Sequence, residues 1–284
     1  QFRANYKSWV AATGKTSELQ PSVEAQMQAI VAKSAAEAAE STTHVAWTDA
    51  SFPANLDALR PRTNRRRQMH ATHQMSMNGI VWKRLSTLGE ISLFGKNSAV
   101  ATPGDVIQGS HADCWLACAM SLATLVEPCC IRRLFVEVPG AVDIGVYGVR
   151  LWRYGSWRTV IVDDYVPFDS TGKVAFSRNR DPTAIWVPVL QKAFAKIYGS
   201  YDALCGGNVA EALTDITGGA VESMNIDGPH RNPKHVWEFV ASALDAGAVL
   251  GCTWSCPEKE VQPPAQWGGL SMNHAYGIVD AYEV

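Results

Sequence analysis

The sequence predicts an α+β protein, a helix-rich lobe followed by a strand-rich one, with the cleft between lobes as the natural site. Three observations predict it. Helical patterning is strongest before a Gly218-Gly219 boundary, and apolar β-type segments near 248–254 and 274–281 follow it. A length of 284 residues lies at the upper edge of what one hydrophobic core supports, which admits two lobes. Hydrophobic residues are 47 % and charged residues only 18 %, which excludes a disordered or coiled-coil chain.

The 25 basic and 27 acidic residues leave a net charge of −2, which gives no drive toward nucleic acid or an anionic membrane. No apolar run reaches the roughly 18 residues that span a bilayer. Gln1 opens without a methionine or apolar leader, which reads as an excised fragment with no signal peptide. Seven cysteines in a long chain are not a disulfide framework. Together these predict reduced thiols and a cytoplasmic protein.

Taken in order, residues 1–45 read as an appended helical extension. Ser22 can cap a helix to about Glu40, with Val23, Met27, Ile30, Val31, Ala35 and Ala38 at helical spacing. That stripe either packs on the body or docks a partner. Arg60, Arg62, Arg65, Arg66 and Arg67 form the one dense basic run, read as a solvated loop. The first lobe spans 46–218. Its centre is a run from Cys114 to Val126 that is apolar almost all round, hence a helix buried on every side. Strands are predicted near 145–153 and 157–163, joined at Tyr154-Gly155-Ser156. Asp181-Pro182 can start a helix to Tyr198, with Pro188 forcing a kink or a late start. The second lobe spans 219–284. Asn232-Pro233 starts its helix, which closes at Gly247.

Cys114 carries the most chemistry. It opens the buried helix, where the dipole and unpaired amides favour thiolate, the nucleophilic form. From position alone, a small buried hydrophobe is the competing reading. A thiolate nucleophile needs a base and an oxyanion hole. His274 heads an apolar run far along the chain, as a distant base would; alone, it is equally a strand-end surface residue. Gln108, six residues before Cys114, could bring an amide donor beside the Cys114 N–H. His111 reads as a loop side chain. Cys118 could pair with Cys114 for metal or redox work, but no histidine–cysteine cluster completes it. Asp163-Asp164 reads as a structural turn in preference to an acid–base pair.

The run from Asp105 through Gln108-Gly109-Ser-His-Ala-Asp113-Cys114-Trp115 to Leu116 resembles the active-site segment of calpains, the calcium-dependent cytosolic cysteine proteases of papain-like fold. The resemblance extends in order through Ser51-Phe52-Pro53, Gly79 to Arg84, Leu151 to Trp157, Val162-Asp163-Asp164, Trp186 to Lys196, Gly199 to Leu204, Thr217-Gly218-Gly219 and His274-Ala275-Tyr276. It implies a two-lobed papain-like protease core with an incomplete second lobe. It makes Cys114 the nucleophile, Gln108 the oxyanion donor and His274 the general base. It implies limited proteolysis of protein or peptide substrates; a catalytically inactive, calpain-like binding module is the alternative.

Departures from the pattern are specific. The calpain pattern continues past the histidine to an Asn-Pro-Trp whose asparagine orients the imidazole, and this sequence stops at Val284. Residues 1–284 alone are therefore expected to be weakly active or inactive. No cofactor is required by the chemistry, and calcium enters only as a regulator. Asp105 stands where calpains have a calcium-ligating aspartate, with a loop or capping carboxylate as the preferred reading. Ala184 stands where they have a glutamate. Ser110-His111-Ala112 replaces a usual Ala-Leu-Gly, and Asn273 replaces a glycine.

Overall fold

The computed structural model describes residues 21–40, 46–60, 79–95, 100–126, 130–226, 232–254 and 270–282. Most of the basic run, at 61–67, lies outside these residues, as do Cys129 and Cys256. Among the described residues the architecture is α+β, as predicted: helices and small antiparallel sheets around one main core.

Helix α1 (Pro21–Glu40) packs on the body. Met27 is fully buried in a satellite core with Val136, Val138, Ala141, Ile144 and Val146. A β-carbon on Gly148 would stand 2.7 Å from its sulfur, so the helix rests directly on a strand backbone. Glu24 meets Arg150 at 3.6 Å. The buried face differs from the predicted stripe at one point: Ser34 is buried and Ala35 exposed, because Met27 and Ser34 are seven residues apart and share a face.

Helix α2 (Leu56–Leu59) is capped by the Asn55 side chain. Strand β1 (Val81–Arg84) pairs antiparallel with β6 (Tyr165–Phe168). Strand β2 (Val106–Ile107) pairs antiparallel with β7 (Arg178–Asn179). Helix α3 (Cys114–Ala123) is the buried centre of the molecule, as its all-round apolar sequence requires. Helix α4 (Cys130–Leu134) leads to β3 (Phe135–Val136), which joins β4 (Val146–Arg153) and β5 (Ser156–Asp163) in a three-stranded sheet. The β4–β5 turn has positive φ at Tyr154 and Gly155, 54° and 77°, the geometry a two-residue hairpin requires.

Helix α5 runs Trp186–Tyr198. The predicted start near Asp181 gives way to the late one. Pro188 becomes its third residue, within the first turn, where a missing N–H costs nothing. Helix α6 (Val209–Thr217), capped by Asn208 and closed by left-handed Gly218, packs on α3. Helix α7 (Pro233–Asp245) starts at the Asn232 cap as predicted. Strands β8 (Leu250–Trp254) and β9 (His274–Ile278) form an antiparallel pair whose inner face lies on α3 and α6. Here β-carbons on Gly251 and Gly277 would each stand 2.9 Å from Val209 and Leu122 respectively.

Asp163 and Asp164 are structural, as the turn reading has it. Asp163 accepts from the Asp49 N–H at 2.7 Å and the Tyr165 N–H at 2.9 Å, and pairs with the buried ammonium of Lys192. Asp164 pairs with Arg84. Lys196 meets Asp49 at 2.6 Å. This network ties the segment entering the lobe to β1, β5 and α5.

Candidate active site

The site is built on the loop entering α3. Gly109 lets that loop approach the 175–176 backbone: a β-carbon there would stand 2.3 Å from the Phe176 carbonyl oxygen. Ser110 N–H donates to the Ala175 carbonyl at 3.1 Å. His111 is a loop side chain, as expected, but a buried one. It is 3 % exposed, lies 5.1 Å from the Phe176 ring, and its Nε2 is 2.8 Å from the Tyr201 carbonyl oxygen. A ring nitrogen facing a carbonyl carries the proton, so His111 pegs the loop to residue 201.

Asp113 is fully buried and does not cap α3 with its side chain. Its carboxylate instead turns inward to the Gln191 amide, with Ser177 Oγ at 3.4 Å and Gln108 Nε2 at 3.5 Å. Burial pushes the Asp113 carboxyl above its usual range, opposed by His111 and the Gln191 bond. The first amides of α3 are left without a side-chain cap at the point where Cys114 sits. Cys114 is a half-buried free thiol at the first position of the helix. Gln108, just after β2, donates from Nε2 to the His111 carbonyl at 2.8 Å, which fixes the plane of its amide beside the Cys114 loop.

A second wall comes from residues 204–207. Trp115 Nε1 donates to the Leu204 carbonyl at 2.8 Å, and Gly206 N–H donates to the Ala112 carbonyl at 2.9 Å. A β-carbon on Gly207 would stand 2.3 Å from the Trp115 indole. Since that ring is pinned by its own hydrogen bond, Gly207→Ala is expected to cost about 1–3 kcal/mol by overpacking. A chemical-denaturation midpoint, compared with the wild type, measures it.

The structure therefore brings Gln108, Asp113 and Cys114 together. His274 opens β9, the strand that packs along the Cys114 helix, opposite Trp254 in the β8–β9 register. Its ring stands edge-on to Tyr276 at 4.9 Å, and no hydrogen bond joins it to Cys114 among the described residues. Asn273 has φ 51°, which explains the glycine usual at this position; asparagine is among the side chains that best tolerate it. Cys118 is buried, and burial pushes its thiol up to about 12, which suits a core residue.

Gln191 is the site-supporting residue that sequence reasoning passed over. A signal existed: Gln191-Lys192 is a polar pair inside the otherwise apolar run of a buried helix, and buried polar groups need partners.

Calcium is the ion the resemblance implies, and it favours six to eight oxygen ligands. The residues described do not fit it. The Asp105 carboxylate takes the Thr102 N–H at 2.6 Å and closes a capping box. Ala184 offers no side-chain oxygen. Among the described residues no group of three or more His, Cys, Asp or Glu could hold a metal.

A free thiol thus heads the buried helix α3, and the Gln108 amide is anchored in the loop that leads into it. The profile of the calpain family of cysteine proteases matches residues 47–284. Calpain-5 of Caenorhabditis elegans is 32 % identical over 238 residues, 78 % of this chain and 35 % of that protein. The calpain-1 catalytic subunit of Mus musculus is 32 % identical over 214 residues, 75 % of this chain and 29 % of its own. The calpain-2 catalytic subunit of Gallus gallus is 31 % identical over 238 residues, 83 % of this chain and 32 % of its own. The chain belongs to the calpain family, and it spans about a third of the length of these relatives. Helix α1 precedes the matched region.

Proposed function

We propose that the protein is a calpain-type cysteine endopeptidase acting on protein substrates, and that Cys114 is its nucleophile. The observation that carries this is the Cys114 thiol at the head of α3 with the Gln108 amide oriented beside it. The Cys114 sulfur, as thiolate, attacks the scissile carbonyl carbon, and the carbonyl electron pair moves onto oxygen. That oxyanion accepts from the Cys114 N–H and from the second Gln108 N–H, which leaves its long 3.5 Å bond to Asp113 for the shorter one. His274 protonates the leaving amine as the C–N bond breaks, then takes a proton from water as water displaces sulfur from the acyl-enzyme. No step is routed through calcium.

The chain divides, in this reading, into the extension 1–45, a lobe 46–218 carrying Cys114 and a lobe 219–284 carrying His274. The separate placement of Cys114 and His274 on α3 and β9 supports it. A reducing, cytoplasmic setting is supported by five described cysteines that are all free. No helix among the described residues is long and apolar enough to cross a membrane.

The test is labelling by a peptidyl electrophile at neutral pH, in the longest natural form of the protein, with Cys114→Ser as control. Burial raises the thiol pKa of Cys118, Cys130, Cys205 and Cys252 above the ordinary value. A raised pKa keeps the proton on at pH 7, so these four hold little thiolate and do not compete. Adduct at Cys114 is expected, with none in the control. A folded protein that takes no label at Cys114 points instead to the binding-module alternative. Ala184 in place of a carboxylate, the atypical Ser110-His111-Ala112 loop and the added helix α1 favour that alternative.

A further inference from the structure

The loop 102–105 leads through the two-residue strand β2 directly to Gln108, so its position sets where the oxyanion donor stands. Every main-chain carbonyl of residues 103–105 already has a donor from this chain. Ser121 Oγ donates to the Pro103 carbonyl at 2.8 Å. Arg180 Nε donates to the Gly104 carbonyl at 2.7 Å. The Arg180 N–H donates to the Asp105 carbonyl at 2.8 Å. The Asp105 carboxylate is taken by the Thr102 N–H. Arg180 follows immediately on β7, whose residues Arg178 and Asn179 pair with Ile107 and Val106. Asn179 is in turn tied to the start of α5, since its Oδ1 accepts from the Val187 N–H at 3.0 Å.

We infer that Arg180 is a positioning residue that does for this loop what a bound cation would otherwise do, so that the Gln108 segment is set without calcium. The argument rests on charge as well as occupancy. A carbonyl has a second lone pair, but a divalent ion also needs carboxylates to offset its charge. One oxygen of the loop's single carboxylate is taken by Thr102, and the position at 184 is an alanine, so no second carboxylate joins it. A guanidinium already touches the Gly104 oxygen, and it repels a second cation in the same loop. Its two bonds act on adjacent carbonyls, one from the side chain and one from the backbone. Together they continue the β2–β7 ladder by one residue and hold β2 in register. Two residues of ladder are too short to do so unaided. A charge-assisted bond at this end therefore acts through β2 on Gln108, without touching substrate.

This inference deepens the peptidase reading and rests on it only for its kinetic arm. The structural arm is hydrogen exchange at the amides of residues 104–108, in the longest natural form, with chelator or with millimolar calcium. Protection is expected to be the same in both, and to fall in Arg180→Ala, which keeps the backbone bond to the Asp105 carbonyl and loses the side-chain bond to the Gly104 carbonyl. Calcium-induced protection of these amides overturns the inference, as does unchanged protection in Arg180→Ala. In the kinetic arm, Arg180→Ala should lower kcat roughly tenfold with KM little changed. Arg180→Lys, which keeps a cation for the Gly104 oxygen, should recover part of that. A general loss of folding would not be rescued by lysine, and a lost substrate contact would move KM. If calcium raises the wild-type kcat by tenfold or more through this loop, the inference falls. Should Cys114 neither label nor turn over, the peptidase reading falls while the exchange result still decides the role of Arg180.

Discussion

Lys192→Met is expected to destabilise the protein by about 3–5 kcal/mol, enough to unfold a domain of ordinary stability at modest temperature. Lys192 is fully buried within α5. Its ammonium meets the Asp163 carboxylate and the Tyr165 carbonyl, and lies 5.8 Å from the Trp82 ring. Methionine keeps the stem's volume and removes the charge. Asp163 then stays buried and short of its cation, although the Asp49 and Tyr165 amides still donate to it. The penalty is the uncompensated carboxylate and not the lost attraction alone, so a double variant separates the two. Lys192→Met with Asp163→Asn should be more stable than Lys192→Met, because a neutral amide oxygen still accepts one of those N–H groups. Denaturant titrations of the wild type, both single variants and the double variant give the coupling directly. Equal stability of Lys192→Met and the wild type would show that the pair does not hold the protein together.

Gln108→Ala should reduce kcat by roughly 10²–10³ with little change in KM. The effect falls on kcat because the second Gln108 N–H, held only by a long 3.5 Å bond to Asp113, meets an oxygen that becomes charged only after attack. Its other N–H is spent on the His111 carbonyl at 2.8 Å, which aligns the amide before substrate arrives. The fold should survive, since Gln108 is half-buried and Asp113 retains Gln191 and Ser177. Steady-state kinetics on the longest natural form, with a melting curve as control, measure it. A rise in KM at constant kcat would instead make Gln108 a substrate-binding residue.

Local features were the legible part of this sequence. The α3 run declares a buried helix because no face of it is polar. The Tyr154-Gly155 turn and the Asn232-Pro233 cap are signals confined to neighbouring residues, and both fall where predicted. Helix α6 carried the same kind of signal, with Asn208 as cap and Val209, Ala212, Leu213 and Ile216 on one face. Only the Gly218-Gly219 pair at its end was read, as a boundary, and the helix itself was not assigned. Long-range pairing was not legible. Asp113 finds Gln191 across 78 residues and Asp49 finds Lys196 across 147. No periodicity links such positions; only the folded core chooses the partner of a buried charge. The burial of His111 was not legible for a related reason. A histidine in a short polar-looking loop gives no hint that a carbonyl at Tyr201 and the ring of Phe176 await it. Asp105 was legible in kind, as a capping carboxylate, while the arginine that secures the same loop was not.

The β8–β9 ribbon touches the Cys114 helix through Gly251 and Gly277, neither of which has a positive φ. Glycine is there for nearness and not for conformation. Gly277 thus removes the thickness of a side chain between the strand that begins with His274 and the helix that begins with Cys114, and Gly251 does the same between β8 and Val209 of α6. A larger residue at Gly277 would act as a shim, lifting β9 off α3 by about the length of a carbon–carbon bond. Displacements near 1 Å can cost a positioned reaction roughly a hundredfold. The reach of the imidazole is thereby set three residues away from it, by the absence of a methyl group.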